Sequence, residues 1–252
     1  MKHEIAPDPW AELRRHTPAR IGIGRAGTSL PTRELLDFGA AHAQARDAVL
    51  LPLDVEALGA ELSGANFEWL TVHSQAPSRD VYLRRPDLGR RLGAASVELL
   101  QALPPHPFDL AVVLGDGLSA IATQRHALPL LHRLQSELCQ TLRWAPLLIA
   151  TQARVALGDE IGALLRAKAV LMLLGERPGL SSPDSLGAYL TFAPSVGRSD
   201  AERNCVSNIR PEGLGPELAA KRLAWLLREA LRRRLSGVAL KDDSERDLLT
   251  GL

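Results

Sequence analysis

The second half of the sequence repeats one pattern: a short apolar run, a turn of glycine and polar residues, and then a helical segment. The apolar runs occupy residues 108–114, 147–150 and 169–174. Near-continuous apolar runs of this length are typical of parallel strands that are buried on both faces. Strands that alternate with helices in this way predict an α/β domain, with a parallel sheet and helices on both of its faces.

The chain before this pattern is mainly helical by the same criteria. Helical segments are predicted at residues 10–16, 32–49 and 53–64, and a short extended piece at 69–74. A proline cluster at residues 103–107 is the best predicted boundary. We therefore expect a mainly helical N-terminal region at residues 1–105, an α/β domain at 106–240 and a disordered tail at 241–252.

The charge balance gives no reason to expect nucleic acid or an anionic membrane as a partner. Lysine and arginine number 30, against 29 aspartate and glutamate residues. No apolar run approaches the roughly 20 residues that span a bilayer, and the first ten residues lack the apolar core of a signal peptide. The sequence therefore predicts a soluble, cytosolic protein.

The cysteines and histidines do not form a metal-binding pattern. The two cysteines, Cys139 and Cys205, form no C-x-x-C motif and are expected to remain reduced thiols. His126 and His132 are six residues apart, which is not the spacing of two ligands on one helix face. A Cys205 nucleophile paired with either histidine or with Asp200 is an alternative hypothesis, but no histidine lies near Cys205 in the sequence.

The candidate binding site is the sheet edge at which the predicted strands end. Right-handed crossovers would bring the loops after Leu114, Ala150, Leu174 and Phe192 to one edge of the sheet. The charged, glycine-rich turn at residues 175–179 follows one of these strands directly. Ligands of open α/β sheets bind at such edges, so we expect a crevice there.

Three further features each allow two interpretations. Gly22, Gly24 and Gly27 match G-x-G-x-x-G, but no good strand precedes them, so a packed basic loop is favoured over a phosphate-binding loop. Asp116 and Ser119 lie before a helix and either bind an anion or, as we favour, cap the helix. The five arginines at positions 79–91 suit an anionic ligand or acidic partner as well as they suit a solvated surface.

Five segments together resemble one known family. They are TPARIGIGRAG at 17–27, YLRRPDLGRRL at 82–92, GDGLSA at 115–120, GERPGLSSPDSLGAYLTFAP at 175–194 and DAERNCVSNIRPEGL at 200–214. In this combination and order, the sequence resembles the small subunit of ethanolamine ammonia-lyase. The resemblance covers the chain from about residue 17 to about residue 235.

The resemblance implies an enzyme subunit. The family is adenosylcobalamin-dependent and converts ethanolamine to acetaldehyde and ammonia by a radical route. It implies a hetero-oligomer in which a TIM-barrel large subunit carries catalysis, while a Rossmann-like domain of the small subunit closes over the cobalamin. No catalytic residue, and no activity of the chain alone, is then expected here. A cytoplasmic location, or one inside an ethanolamine-utilisation bacterial microcompartment, also follows from the resemblance.

The resemblance also implies which residues contact the cofactor. By motif these are Val155, Glu176 and Cys205, with Asp116 and Ser119 as weaker candidates. Residues 21–27 and the arginine-rich residues 79–91 would dock on the large subunit. The absence of D-x-H-x-x-G agrees with cobalamin that keeps dimethylbenzimidazole on cobalt. The alternatives are a stand-alone α/β nucleotide- or cofactor-binding module without a lyase partner, and a self-sufficient hydrolase that uses Cys205.

Overall fold

Six strands form one mixed sheet in the computed structural model, which describes residues 5–104, 106–138 and 142–245. They are β1 (Trp69–His73), β2 (Leu110–Gly115), β3 (Leu147–Thr151), β4 (Ala169–Gly175), β5 (Leu186–Phe192) and β6 (Arg203–Ile209). Their order across the sheet is β1-β3-β2-β4-β5-β6. The first four are parallel, β5 runs antiparallel to β4, and β6 runs antiparallel to β5.

Seven α-helices surround this sheet within the described ranges. They are α1 (Thr32–Leu50), α2 (Val55–Gly64), α3 (Arg79–Arg84), α4 (Ala94–Gln101), α5 (Ala120–Leu138), α6 (Leu157–Leu164) and α7 (Pro216–Arg233). Short 3-10 helices occur at Ala11–His16, Leu88–Arg90, Asp200–Glu202 and Gly237–Ala239. The predicted α/β class, with a mostly parallel sheet flanked by helices and a mainly helical N-terminal region, is confirmed.

After β2 the sequence predicts a helix over residues 120–143, and α5 forms it as far as Leu138, whereas Leu142 and Arg143 are not helical. A proline inside a helix often breaks it, but α5 continues through Pro129. Pro129 lies on the exposed side of the helix, where water can satisfy the carbonyl group that has lost its N–H partner. The end of the predicted helix, with Cys139, falls partly at residues 139–141, which lie outside the described residues.

One prediction about the sheet edge is wrong. Because β5 is antiparallel to β4, Phe192 lies at the edge opposite Leu114, Ala150 and Leu174. Only ten residues connect β4 to β5, and a parallel return needs a longer crossover, usually with a helix. The chain turns back directly instead, so the end of β6, not of β5, joins the predicted edge.

Helices cover the two faces of the sheet unequally. On the closed face, α2, α5 and α7 pack on side chains from every part of the sheet, including the buried Leu190 and Val206 of β5 and β6. On the open face, α4 and α6 pack mainly over β1, β2 and β4. The sheet therefore carries a complete core on one side and a partial one on the other.

The N-terminal region contributes to the sheet as well as to the surface. Strand β1 pairs with β3 along its full length, from Trp69 opposite Leu147 to His73 opposite Thr151. The proposed domain boundary at the proline cluster stays a prediction. At the other end of the chain, Arg222 of α7 forms an ion pair with Glu245, while residues 246–252 of the predicted tail lie outside the described residues.

The glycine motif near the N-terminus forms the packed loop that the sequence favours. Ala6 pairs with Arg25, and Ala26 pairs with Ser29, through isolated antiparallel bridges. In the described part of the chain the first strand is β1, so no strand leads into these glycines, and α1 begins only after Pro31. The arrangement is not the strand, loop and helix of a dinucleotide-binding motif.

Candidate functional site

The open face leaves a strip of β5 and β6 uncovered. We call it the open strip and define it by Gly187, Tyr189, Cys205 and Ser207. Cys205 and Ser207 are exposed, Tyr189 is half-buried, and Gly187 is buried beside the Glu176 side chain. Val206, which points to the closed face, is also buried. Tyr189 stands opposite Cys205 in the sheet register. Helices α4 and α6, which pack over the rest of the open face, leave these side chains largely uncovered.

Glu176 lies at one end of the open strip, directly after β4. Its Oε2 accepts hydrogen bonds from the Ser185 hydroxyl at 2.5 Å and from the backbone N–H of Asn208 at 3.2 Å. A Cβ atom at Gly187 would lie 2.9 Å from Oε1 of Glu176, so only glycine lets the carboxylate lie this close to the strand. Oε1 accepts no hydrogen bond from the described residues and is available to a ligand.

Cys205 is a free cysteine in the middle of the open strip. Partial burial is the main cause that raises the pKa of its thiol, and the Glu176 carboxylate adds to this, while a hydrogen bond with Tyr189 opposes it. Burial also raises the pKa of Tyr189. A raised thiol pKa disfavours the thiolate, which is the nucleophilic form.

The histidines considered as partners of Cys205 lie on the other side of the sheet. His126 and His132 belong to α5, which packs on the closed face. His126 is 3.4 Å from the carboxylate of Asp184, and His132 packs against the ring of Phe67. A cysteine–histidine catalytic pair is therefore excluded for these residues.

Val155 lies just before the first turn of α6, half-buried against the core of the open face. Helix α6 is joined to β6 by a buried ion pair in which both nitrogens of the Arg203 fork reach Asp159, at 2.5 and 2.7 Å. Arg203 also donates to the hydroxyl of Thr191 at 3.1 Å. This pair fixes α6, and Val155 with it, relative to the strand that carries Cys205.

The side chains of Asp116 and Ser119 form hydrogen bonds with backbone groups of neighbouring loops. Asp116 is 1 % exposed and accepts hydrogen bonds from the N–H groups of Gln152 and Ala153 at 2.8 and 2.9 Å. Burial raises the pKa of its carboxyl, and these donors, with the Arg79 guanidinium, oppose the rise. The Ser119 hydroxyl donates to the carbonyl oxygen of Pro183 at 2.7 Å. Neither side chain is free for a ligand, and Asp116 braces the loop after β3 instead of capping the helix as we expected.

The arginine-rich segment is mostly engaged within the chain. Arg79 is half-buried beside Asp116 and donates to the carbonyl oxygens of Val49 and Gly117 at 2.8 and 2.7 Å. Arg84, Arg85 and Arg91 form ion pairs with Asp80, Asp87 and Glu160. Arg79 is thus a structural link between α3 and the β2 loop, and only the exposed arginines remain candidates for docking.

Sequence reasoning missed Gly187, Tyr189 and the pair Asp159–Arg203. A glycine inside a strand indicates the close approach of another group, so Gly187 carried a readable signal. Asp159 and Arg203 are 44 residues apart, and nothing in the local sequence connects them.

Two classes of feature are not found in the described ranges 5–104, 106–138 and 142–245. No group of three or more histidine, cysteine, aspartate or glutamate side chains could hold a metal ion there. No helix there is long and apolar enough to cross a membrane.

Comparisons with known proteins agree with the resemblance drawn from the motifs. The family model of the ethanolamine ammonia-lyase light chain matches residues 7–241. The chain is 57 % identical over 243 residues to the ethanolamine ammonia-lyase small subunit of Pseudomonas fluorescens, which covers 94 % of this chain and 88 % of the relative. It is 56 % identical over 250 residues to the small subunit of Pseudomonas aeruginosa, covering 98 % and 92 % of the two chains.

A relative from a second genus gives the same result. The ethanolamine ammonia-lyase small subunit of Ralstonia nicotianae is 55 % identical over 249 residues, which cover 97 % of this chain and 92 % of the relative. The matched region includes every strand of the sheet and all residues of the open strip. The chain belongs to the family of ethanolamine ammonia-lyase small subunits.

Proposed function

We propose that this chain binds adenosylcobalamin as the small subunit of an ethanolamine ammonia-lyase, with the open strip as one wall of a site shared with the large subunit. The enzyme would convert ethanolamine to acetaldehyde and ammonia. Adenosylcobalamin, when bound, supplies a radical by homolysis of its cobalt–carbon bond. This chain's own residues bind and orient the cofactor, and the large subunit, a TIM barrel, carries the catalytic groups.

The observation that carries the proposal is the position of Val155, Glu176 and Cys205 around one uncovered part of the sheet. Glu176 offers an unoccupied carboxylate oxygen, Oε1, which suits the amide N–H groups at the rim of a corrin ring. Cys205 and Val155 present weakly polar and apolar surface, which suits the flat ring or its base. The residues therefore fit the cofactor by their chemistry.

The state of the Cys205 thiol on the open strip agrees with a binding role and not with a nucleophilic one. The raised pKa of the Cys205 thiol makes it a poor nucleophile, and its nearest described partner is Tyr189 rather than a base. A stand-alone hydrolase would need the opposite arrangement. The residues of the strip are accordingly assigned to contact and not to catalysis.

Exposed apolar side chains of the N-terminal region support a large-subunit docking surface there. Leu35, Leu36 and Phe38 of α1 are exposed, and so is Trp10 before it. Clustered exposed apolar side chains of this size are typical of protein–protein interfaces. Together with residues 21–27 and the exposed arginines Arg84 and Arg85, these side chains are the ones that we assign to contact with the partner. Assembly in a bacterial microcompartment stays a prediction.

Cobalamin retention by the complex of the two subunits tests the proposal. Glu176→Ala removes the free acceptor, and loss of a charge-assisted hydrogen bond of about 1.5–3 kcal/mol should raise the Kd of adenosylcobalamin about tenfold or more. Cys205→Trp fills the strip and should prevent retention. Binding is measured by the absorbance of cobalamin that stays with the complex after gel filtration.

Matched controls separate binding from folding. Arg232→Ala changes an exposed residue of α7, outside both the strip and the face assigned to the large subunit, and should retain cobalamin like the wild type. Each variant should also form the complex with the large subunit in normal yield. Normal cobalamin retention in both Glu176→Ala and Cys205→Trp would refute the proposed site.

A further inference from the structure

A cavity rich in arginine adjoins Val155 on the open face. Its volume is about 420 Å³, and it lies between the start of α6, the 3-10 helix Leu88–Arg90 and the segment around residues 198–203. Four of its lining residues carry guanidinium groups: Arg90, Arg154, Arg198 and Arg203. Asp200 also lines it, with a side chain that is almost fully exposed and reaches Arg203 at 3.4 Å.

Two of the four guanidinium groups are already neutralised within the chain. Arg203 is held by Asp159, and Arg198 forms an ion pair with Glu202. Arg90 forms no ion pair with any described residue. Arg154 also has no carboxylate partner among these residues. The cavity therefore keeps a net positive charge, because the Asp200 carboxylate offsets only one of these two remaining cations.

Arg154 carries an unsatisfied donor in this cavity. Its guanidinium lies over the ring of Tyr82, with 4.2 Å between its central carbon and the ring centroid. One Nη donates weakly to the Tyr82 carbonyl oxygen at 3.4 Å, while the buried Nε has no hydrogen-bond partner in the described chain. A buried N–H without an acceptor costs free energy, so a small rotation of the guanidinium towards an acceptor supplied by a ligand would be favourable.

The local backbone holds both cations at the cavity. The N–H of Arg154 donates to the carbonyl oxygen of Gly89 at 2.8 Å, which fixes the loop after β3 against the turn that carries Arg90. A Cβ atom at Gly89 would lie 2.9 Å from Cγ of Arg154 and 2.9 Å from the Tyr82 ring. Glycine at position 89 therefore allows this close packing, which holds the backbone of both arginines beside the cavity.

We propose that Arg90 and Arg154 form a phosphate-binding subsite in this cavity. Guanidinium groups bind phosphate oxygens through paired N–H donors, and two of them can share the two free oxygens of a phosphate diester. The inference rests on the proposed function for its ligand, which is the phosphate diester in the nucleotide tail of cobalamin. A free phosphate compound is the other source of the same chemistry.

A comparison of two corrinoids isolates the phosphate. Cobinamide has the corrin ring of cobalamin but lacks the phosphate and nucleotide. In the complex with the large subunit, Arg90→Gln and Arg154→Gln should each raise the Kd of cobalamin about tenfold, the effect of about 1.4 kcal/mol, and change the Kd of cobinamide less than twofold. Equilibrium dialysis measures both. Arg232→Gln changes an exposed arginine of α7, outside both the cavity and the face assigned to the large subunit, and should change neither.

The outcomes distinguish this inference from the proposed function. Two results would overturn the subsite without affecting the proposed cobalamin site. One is wild-type affinity for cobalamin in both variants. The other is equal weakening of cobalamin and cobinamide binding in Arg90→Gln, which changes an exposed side chain. If the wild-type complex binds no corrinoid, the proposed function fails. The affinity of the complex for inorganic pyrophosphate then tests the subsite separately. Binding that Arg90→Gln weakens about tenfold would support a free phosphate ligand, and no binding would overturn the inference.

Discussion

The two faces of the sheet use β5 and β6 in opposite ways. On the closed face, Leu190 and Val206 are buried under α5 and α7, and they belong to the larger core. On the open face, one residue away along each strand, Tyr189 is half-buried and Cys205 is exposed. Successive side chains of a strand point to opposite faces of the sheet. Each of these two strands therefore stabilises the fold with the side chains of one face and presents a surface with those of the other.

Substitutions on the two faces should therefore separate effects on binding from effects on folding. Changes on the closed face remove packed apolar contacts and should lower stability. Changes on the open strip remove little that the isolated chain needs, and their effect should fall on binding instead. Asp159 and Arg203 are the exception, because they lie at the border of the strip and are themselves buried.

The largest effect is expected at this border. Arg203→Ala leaves the Asp159 carboxylate buried without its partner, which should lower the free energy of unfolding by about 3–5 kcal/mol. Urea denaturation of the full chain measures this. Arg85→Ala, which breaks an exposed ion pair with Asp87, should leave the urea midpoint unchanged. A loss below about 1 kcal/mol for Arg203→Ala would mean that the pair does not hold α6 against β6.

Neighbouring positions on opposite faces give the next largest contrast. Leu190→Ala creates a cavity under α7 and should cost about 2–5 kcal/mol of unfolding free energy. Cys205→Ala on the open strip should cost less than about 1 kcal/mol. Urea midpoints of the two variants report the difference directly. Equal losses would show that the strip is part of the core and does not serve as a separate binding surface.

The smallest effect is a pH dependence at the edge of the sheet away from the strip. Partial burial raises the pKa of Asp109, but hydrogen bonds from Lys168 and Arg143 outweigh it and hold the pKa at about 2. An unfolded aspartate has a pKa of about 3.9. The folded pKa is the lower one, so this stabilisation is complete above about pH 4 and is lost as the pH falls towards 2.

The variant Asp109→Asn makes that dependence measurable. The difference in urea midpoint between the wild type and Asp109→Asn should be constant from pH 7 to about 5 and shrink below about pH 4. Cobalamin binding at pH 7 should not change, because Asp109 lies before β2 at the opposite edge from Glu176. A midpoint difference that stays the same at pH 3 would contradict the assigned pKa.

Much of the fold could be predicted from the sequence because its strands carry their own signal. The apolar runs at 108–114, 147–150 and 169–174 give β2, β3 and β4 to within two residues at each end. The direction of β5 was missed, although the short connection before it indicates an antiparallel return. The local sequence pattern identifies a strand more readily than it identifies the strand with which it pairs and the direction of that pairing.

The candidate site could be predicted only in part. The turn after β4 pointed to Glu176, because a charged glycine-rich turn ended a buried run. Cys205 and Val155 entered through the family resemblance, since nothing in their local sequence distinguishes a contact residue from a packed one. The open strip itself depends on which helices cover which strands, and that is a property of the tertiary fold.

Hydrogen exchange in the two-subunit complex, with and without adenosylcobalamin, directly tests whether the open strip is the cofactor-binding wall. We expect cobalamin to slow amide exchange in peptides that cover residues 154–157 and 203–208, while peptides of α7 on the closed face exchange at an unchanged rate. Strand β6 is suited to this test because it is the last strand in the sheet order. Unchanged exchange at residues 203–208, with slowing confined to α7, would contradict the assignment of the open strip as the cofactor-binding wall.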